Sequence, residues 1–551
     1  MTALERAIRS PAPVRAFGGR SPLDGLDRRS VGFVDVMAQS VAAVAPAAAA
    51  TTVTVIVAGV SPGSVIASVL IAGVLSLLVA STVGQFARRL AASGALYTYA
   101  ARGLGPVGGL ATGAAAIVGY AAVAMFALLG GAYYTALLLR PLWPGIDRPL
   151  GIAVVLLAEA ALLTLLLVRG IRISARVALV VETASVLLIV VLLVALSTRI
   201  GPVDPAVFLP TGPDDSPLGV GAGALIALTA YVGFESAATL GVEARSPLKS
   251  IPRAVRATVV ISLLLYLLSA LAQVAGFAAV GRDFAASASP LNDLADTFGM
   301  GAWANVADLG ITASFLACAI GSTTALARVV FAMGRDDVMP RVAGRTHPRF
   351  GTPIGAIAIV LPLVIGVPLC LVVAGVDLRS AMHLTIAVGG IGYIVSYVFA
   401  CIAAPLFLHR IGELTAGVVI VSASATAALV SAVAAFAAAD LAAGGAAVWV
   451  AIAVASASAA LIAWRRRRPL GVLGAYDVPV ADAVLGGHRS KVIFSGIDDP
   501  ATLNWLATVA GTEHVARRSW SADTAGGRRT LTEATQRQEL VSTHADPQMF
   551  S

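Results

Sequence analysis

Charged residues are scarce in this chain of 551 residues, because Asp, Glu, Lys and Arg together make up only 12% of it. A soluble globular protein usually carries about 25%. Hydrophobic residues account for 58% of the chain, and the mean hydropathy is +0.88. Several soluble domains of this total length would need far more polar surface. The composition therefore predicts a polytopic membrane protein.

Cysteine is almost absent as well, since Cys318, Cys370 and Cys401 are the only three and lie in separate apolar runs. Isolated thiols in such runs behave as small hydrophobic side chains, which argues against a disulfide framework. The sequence also lacks a cluster of metal ligands, a nucleophile triad and a glycine loop that could hold phosphate. We therefore expect no metal, no cofactor and no enzymatic activity.

Basic side chains give the chain a net charge of +8, yet no basic run is interleaved with aromatic residues outside the apolar segments. Nucleic-acid-binding surfaces usually combine clustered basic residues with a recognisable binding motif. The sequence therefore predicts the lipid bilayer as the surroundings of this chain and no nucleic-acid partner.

Twelve apolar runs approach or exceed the roughly 20 residues that a helix needs to cross a bilayer. Numbered as spans 1 to 12, they lie at about 33–58, 63–88, 105–137, 149–168, 173–197, 218–241, 252–280, 303–334, 353–375, 380–408, 415–439 and 445–464. This pattern predicts an all-α polytopic protein with 12 transmembrane helices. The expected parts are an N-terminal tail (1–32), a core of spans 1–10 (33–408), spans 11 and 12 (409–464) and a C-terminal tail (465–551).

Arginine and lysine are unevenly distributed among the loops between the spans. If the N-terminus lies inside, the inner loops carry 15 of these residues and the outer loops carry five. Positively charged loops stay preferentially on the cytoplasmic side of a membrane. We therefore expect both termini in the cytoplasm, with the polar C-terminal tail forming a solvated extension that contains one short helix near Ala501–Ala510.

Two spans carry signs of an interruption near the middle of the membrane. In span 1, Pro46 lacks an amide hydrogen and clashes with the preceding helical turn. In span 6, Gly233 loosens the backbone and Glu235 places a carboxylate near membrane depth. A single proline more often only kinks a membrane helix, but these interruptions open successive sets of five spans. Paired broken helices at matching positions indicate the midplane binding site of a secondary transporter.

Broken helices favour particular substrates. Amides at the start of a half-helix attract a carboxylate, and carbonyls freed at the end of a half-helix attract an ammonium group. A zwitterionic amino acid would satisfy both sets of groups, so an amino acid is the predicted substrate. A polyamine or ethanolamine is the alternative, because the same site can hold an ammonium group without a carboxylate.

Three motifs resemble signatures of the amino acid–polyamine–organocation permeases. Thr229–Val255, which reads TAYVGFESAATLGVEARSPLKSIPRAV, is similar to the sixth helix of that family and the loop after it. Residues 93–105 resemble its SGGxYxY segment and the glycines that follow. Arg328–Pro340, which reads RVVFAMGRDDVMP, resembles the end of its eighth helix. Each motif departs from the family pattern at one position, and the resemblance covers about residues 30–410.

The resemblance implies a LeuT-like inverted repeat of five plus five helices, with alternating access and with broken spans 1 and 6 holding the substrate. The implied substrate-binding positions are Ala42, Ala43, Val44, Ala45, Pro46, Thr229, Ala230 and Val232. The resemblance also implies that Ser322 lines the pocket, and it makes Tyr231 and Phe234 candidate gate residues. For any one aromatic side chain here, packing is the alternative role.

Carboxylates inside the spans are costly without a partner, so each is a candidate for function. Glu235 belongs to the span 6 motif and is expected to hold the inner gate. Many proton-coupled relatives carry a buried lysine in span 5, near the position of Ser185, and that lysine is missing here. Because Glu182 lies nearly one helical turn before it, we predict that Glu182 carries the coupling proton; the alternative is a structural hydrogen bond. Three further acids are expected near span ends, in a solvated or snorkelling position: Asp35, Glu159 and Asp308.

These features together predict a secondary active transporter of the bacterial cytoplasmic membrane that takes up an amino acid with a proton. Exchange of one solute for another is the closest alternative mode. A sodium site built from span 1 carbonyls and the hydroxyls of Ser322 and Thr323 is a further alternative. From another class, a transport-derived sensor would bind its ligand without accumulating it and signal through residues 470–551.

Overall fold

The computed structural model describes residues 29–209 and 216–442 without a gap in either range. It also describes shorter pieces, namely residues 26, 444, 448–450, 452, 512–522 and 529–539. These residues belong to two compact units, one within Met1–Val480 and one within Ala481–Ser551.

Eleven helical segments among the described residues are long and apolar enough to cross a membrane. Span 1 consists of half-helices 1a (Phe33–Val44) and 1b (Pro46–Val60), and span 6 of half-helix 6a (Pro217–Thr229) and the 3₁₀ segment 6b (Phe234–Leu240). The continuous spans 2–5 and 7–11 are Val65–Ala87, Leu96–Leu139, Pro149–Arg169, Ile171–Arg199, Pro247–Val280, Gly301–Arg335, Ile354–Val373, Leu378–Arg410 and Ala416–Ala442. A short helix, Pro290–Thr297, precedes span 8. The predicted span 12 lies almost entirely outside the described residues.

Span 3 begins nine residues earlier than its apolar run, at Leu96 instead of residue 105. The reason is that Gly105 and Pro106 kink the helix without ending it. Gly105 has a φ of +78° and a ψ of −173°, which a helix cannot contain, and helical geometry resumes beyond it. A proline that opens a new helical stretch is well tolerated, since its missing amide has no partner there in any case.

The predicted interruption of span 1 is confirmed, and it falls at Ala45. A residue before proline is disfavoured in the right-handed helical region because it clashes with the proline ring. Ala45 accordingly takes a left-handed conformation, with φ 50° and ψ 61°, and Pro46 occupies the first position of 1b. Helix 1a thus ends and 1b begins within one residue.

The interruption of span 6 is confirmed as well, and it lies against that of span 1. Gly233 has a φ of +105°, and a Cβ atom added there would lie 2.7 Å from the carbonyl oxygen of Ala43. Only glycine combines this left-handed backbone with so close an approach. The two broken helices therefore touch each other where their regular hydrogen bonding stops.

Span 3 runs along span 10 with almost no side chain between the two backbones. A Cβ atom on Gly392 would lie 2.6 Å from the amide nitrogen of Gly119, and one on Gly103 would lie 2.3 Å from the carbonyl oxygen of Ala403. Helices in lipid gain their packing energy through such small-residue contacts. This close pair forms one wall beside the broken helices.

The C-terminal unit contains a β-hairpin that the sequence analysis did not predict. Strands β1 (Thr512–Ala522) and β2 (Arg529–Glu539) pair antiparallel, with Trp520 opposite Leu531. Their charged and apolar residues do not alternate strictly, so the periodic signal of a strand is weak. The helix expected near Ala501–Ala510 lies outside the described residues.

Replacing Gly233 with alanine should lower stability by about 3 kcal/mol, because the left-handed backbone and the contact with Ala43 are both penalised. Thermal unfolding of the purified protein in detergent would measure this as a lower midpoint. Gly84→Ala in span 2 is the matched control, because its added Cβ meets nothing within 4 Å. Equal midpoints for the two variants would contradict the proposed constraint at Gly233.

Candidate substrate site

A small cavity of about 20 Å³ lies where the two broken helices meet. Five of the eight predicted backbone positions line it: Ala43, Val44, Ala45, Thr229 and Val232. A space of this size holds about one water molecule. A larger solute can therefore occupy it only when the surrounding helices move apart.

Four predicted site residues do not line this cavity. Ala42 packs with Ala178 and Ala317 on another side of 1a. Pro46 lies at the start of 1b. The carbonyl of Ala230 accepts a hydrogen bond of 2.6 Å from the Tyr266 hydroxyl. Ser322 lies deeper along span 8, with its hydroxyl 3.9 Å from the Cys318 sulfur.

The remaining walls come from residues that the sequence analysis did not assign to the site, and half-helix 1b contributes Ala48, Ala49 and Val53. Spans 3, 8 and 10 contribute Val123, Phe126, Phe315, Cys318 and Ile386. Each is an ordinary apolar residue of a membrane helix, so no local pattern distinguishes it from a lipid-facing neighbour. The cavity wall is apolar, and most of its polar character comes from the interrupted backbones.

The start of half-helix 1b is capped by the side chain of Glu182 from span 5. Glu182 is fully buried and accepts a 3.0 Å hydrogen bond from the amide of Ala47. Ser314 of span 8 accepts from the amide of Ala48 and donates to the same Glu182 oxygen, both at 3.0 Å. No donor among the described residues reaches the second Glu182 oxygen. Glu182 therefore lies at the point where span 1 is broken.

The start of 6b is held by Glu235, which is also fully buried. Its carboxylate accepts hydrogen bonds from the Tyr120 hydroxyl at 2.7 Å and the Tyr397 hydroxyl at 2.5 Å. Glu235 thus ties span 6 to spans 3 and 10.

Two aromatic groups lie near the broken helices, and one of them, with Phe126 and Phe315, lines the cavity. In one, Phe315 stacks on Tyr134 and meets the edge of Phe126, with ring centroids 5.9 and 5.4 Å apart. In the other, Phe234 stacks on Tyr397 at 5.5 Å. The predicted gate residue Phe234 does not line the cavity, although Val232, two residues before it, does.

The other predicted gate aromatic, Tyr231, points away from the cavity. Its ring packs edge-on against Tyr266 at 4.9 Å, and its hydroxyl donates to the carbonyl of Val69 at 3.2 Å. The structure therefore places Tyr231 between spans 2 and 7, in the packing role that was the alternative for this residue.

A buried ion pair closes the predicted inner end of the protein. Arg328 of span 8 donates to both carboxylate oxygens of Glu243, at 2.8 and 3.0 Å, and both side chains are almost fully buried. Beside it, Val31 forms a parallel bridge with Ala244. The amide of Val31 donates to the Glu243 carbonyl at 3.0 Å, and that of Arg245 donates to the Val31 carbonyl at 2.9 Å. The segment before span 1 is thereby attached to the segment after 6b.

Asp35 and Asp308 lie near span ends as expected, but both are buried and not solvated. Glu159 lies at the middle of span 4 (Pro149–Arg169), where it accepts a 3.3 Å hydrogen bond from Thr135. Asp308 is buried and receives both of its bonds from Asn292. Asp35 caps the start of 1a and is only 8% exposed. Packing against neighbouring helices buries Asp35 and Asp308 and half-buries Glu159, and hydropathy along the chain does not report such packing.

The part of the chain that the structure describes contains no group of three or more His, Cys, Asp or Glu side chains placed to hold a metal ion. The candidate site is therefore built from backbone groups, apolar walls and two capping carboxylates. Such a site can bind a small charged solute through hydrogen bonds to its backbone.

Comparison with known proteins agrees with this geometry. A family model described as amino acid permease matches residues 35–415. An uncharacterized transporter of Mycobacterium tuberculosis is 30% identical over 397 residues, which cover 69% of this chain and 82% of that protein. The branched-chain amino acid permease BcaP of Bacillus subtilis is 25% identical, covering 53% of this chain and 64% of BcaP.

A solved manganese transporter of Eremococcus coleocola shares the fold. It superimposes with a TM-score of 0.51 at 14% identity, covering 81% of this chain and 95% of that chain. At this identity the likeness concerns the fold alone. The predicted LeuT-like fold with broken spans 1 and 6 is confirmed, and the count of twelve helices stays a prediction.

Removing one partner of the buried pair should destabilise the protein, because it leaves the other charge unpaired. We expect Arg328→Met to lower the free energy of unfolding by about 3–5 kcal/mol. The double variant Arg328→Met, Glu243→Leu should lose less stability than either Arg328→Met or Glu243→Leu alone. Arg341→Met, which removes the exposed pair with Asp337, should cost less than about 1 kcal/mol. Unfolding in detergent measures all four variants, and strictly additive losses in the double variant would argue against the pairing.

Proposed function

The chain belongs to the amino acid permease family, and from that membership we propose that it is a secondary active transporter that moves an amino acid by alternating access. One observation carries this proposal. The interruptions of spans 1 and 6 meet at a single cavity, so the backbone groups that could hold a substrate converge there. An amine substrate is the second candidate, because the amides of 1b are already occupied.

Alternating access needs a barrier on each side of the site. The cluster of Phe126, Phe315 and Tyr134 would form one barrier, and Phe234 with Glu235 would form the other. Movement of 1a and 6b would open the second barrier. Half-helix 1a is joined to 1b only through Ala45, and 6b is joined to 6a only through the turn at residues 230–233. The Glu243–Arg328 pair would have to separate or move with them.

The protein is a multi-pass membrane protein, and we place it in the bacterial cytoplasmic membrane with both termini in the cytoplasm. The excess of arginine in alternate loops supports this orientation. In this arrangement, residues 1–32 and 465–551 are cytoplasmic tails, 33–408 is the transporter core, and 409–464 forms spans 11 and 12.

Proton coupling is proposed to act through Glu182. This carboxylate holds the start of 1b, and one of its two oxygens is available for a proton. A neutral carboxyl group accepts a weaker hydrogen bond than a carboxylate does. Protonation would therefore loosen the contact between Glu182 and the Ala47 amide, which would let 1b move. This links proton binding to the half-helix that borders the substrate.

Proteoliposomes should accumulate one class of labelled substrate from a panel of amino acids, putrescine and ethanolamine when an inward proton gradient is imposed. Transport uses the gradient as its driving force, so the same vesicles without it should only equilibrate. Accumulation only in vesicles preloaded with unlabelled substrate would identify exchange instead. Binding without any transport in either format would favour a sensor and contradict the proposal.

Glu182→Gln should abolish accumulation driven by the proton gradient while leaving exchange between preloaded substrate and external substrate. Glutamine keeps an oxygen that can accept from Ala47 but cannot take up a proton. Glu159→Gln is the matched control, since Glu159 is also an intramembrane carboxylate but lies away from the cavity. Gradient-driven accumulation by Glu182→Gln at the wild-type level would rule out the proton role.

A further inference from the structure

Basic side chains line one face of span 7 at its predicted inner end, and from this arrangement we infer that the protein binds the headgroup of an anionic phospholipid there. The four residues are Arg245, Lys249, Arg253 and Arg256. Three of them belong to the sequence motif at residues 229–255, and the proposed transport function makes no use of them. The inference concerns the lipid around the protein and does not depend on which solute is transported.

Helical geometry places three of these side chains close together. Lys249, Arg253 and Arg256 follow one another at spacings of four and three residues within span 7, which begins at Pro247. Residues at these spacings are neighbours on a helix surface. All three side chains are exposed, and so is Arg245, which lies two residues before the helix begins. The inner end of span 7 therefore presents a continuous cationic surface.

Apolar side chains continue the same face of span 7 toward its other end. Val260, Leu264 and Leu271 are exposed and follow the cationic residues at helical spacing. On the opposite face, Ile251 and Val255 are buried in the core, so packing fixes the rotation of the helix. A ligand that lies along the exposed face meets cations first and hydrocarbon side chains next. A phospholipid presents its groups in the matching order, a charged headgroup followed by acyl chains.

The length of span 7 places the cations at the level of the headgroups. The helix has 34 residues, which at 1.5 Å per residue corresponds to about 51 Å. The hydrocarbon core of a bilayer is only about 30 Å thick. Residues 257–280 span about 36 Å and fill this core with a moderate tilt. The cationic turns before them then lie where lipid phosphates are found.

The protein itself does not neutralise this positive charge. None of the four basic side chains forms an ion pair with another residue that the structure describes. The sequence has no Asp or Glu between Glu243 and Asp283, and Glu243 is bound to Arg328. By contrast, Arg89 at the inner end of span 2 is paired with Glu413. Each unpaired Lys or Arg near an anionic surface strengthens the attraction about fivefold, so a headgroup can supply the missing negative charge.

The preference of basic loops for the cytoplasmic side does not by itself require this arrangement. Basic residues anywhere in an inner loop would satisfy that preference. Arg345 and Arg349, in the loop between spans 8 and 9, are exposed examples that lie on no membrane helix. The cations of span 7 differ because they continue a lipid-facing helix surface. This difference provides a matched control.

Binding of lipids to the purified full-length protein tests the inference. In an uncharged detergent, native mass spectrometry should show that phosphatidylglycerol binds at least about tenfold more tightly than phosphatidylcholine with the same acyl chains, because only the former has a net negative charge. Inorganic phosphate supplies an anion without acyl chains. It should displace phosphatidylglycerol at least about tenfold less well than unlabelled phosphatidylglycerol does.

Variants locate the site. Arg253→Gln combined with Arg256→Gln should weaken phosphatidylglycerol binding by about tenfold or more, and Lys249→Gln alone by about fivefold. Arg345→Gln combined with Arg349→Gln removes the same charge from the same predicted side and should change binding by less than about twofold. Arg253→Lys combined with Arg256→Lys keeps the charge and should retain binding within about threefold.

Four results would overturn the inference. They are equal binding of the two lipids, equal losses in the two glutamine pairs, displacement by phosphate as effective as by phosphatidylglycerol, and a loss in the lysine pair as large as in the glutamine pair at the same positions. If that glutamine pair does not fold, Lys249→Gln provides the comparison with the loop control. Because these experiments measure lipid binding and not transport, their failure would leave the proposed function standing.

Discussion

Backbone groups that leave a helix inside a bilayer must find partners within the protein, because no water is available to them. This requirement explains much of the buried polar structure here. The interruption of span 1 recruits Glu182 and Ser314, and that of span 6 recruits Tyr266, whose hydroxyl donates to the Ala230 carbonyl. The Ser40 hydroxyl donates to the Phe234 carbonyl and the Ser236 hydroxyl donates to the Gln39 carbonyl, so the two breaks are joined to each other. The side-chain amide of Gln39 donates to the Gly321 carbonyl of span 8. The candidate site is therefore surrounded by side chains that hydrogen-bond to the interrupted backbones.

Close packing of glycine and alanine makes this arrangement possible. The contact between Gly233 and Ala43 brings the breaks together, and that between Gly392 and Gly119 holds spans 3 and 10 side by side. Larger residues would separate these backbones and pull Tyr120 and Tyr397 away from Glu235. Because these residues lie on spans 3 and 10, any movement of 6b must also affect that pair of helices.

The sequence allowed the broken helices to be located because proline and glycine act on their own backbones. Pro46 disfavours a regular helix in span 1, the motif around Gly233 marks the other break, and their matching positions distinguish both from simple kinks. Eleven of the predicted spans follow from apolar runs that no soluble fold would tolerate. By contrast, Phe126, Phe315 and Ile386 were missed, since which face of a helix lines a cavity depends on how the neighbouring helices are rotated. Tyr231 illustrates the same limit, because it lies in the correct segment but faces spans 2 and 7.

The sequence by itself therefore determined the membrane location, the family and the positions of the breaks, because these depend on composition and on local backbone chemistry. The tertiary structure decided what those breaks offer to a solute. Glu182 is separated from Ala47 by 135 residues, and no local pattern shows that its carboxylate caps 1b. Contacts between distant residues are fixed only when the helices pack, and here packing places Glu182 and Ser314 at the amides of Ala47 and Ala48.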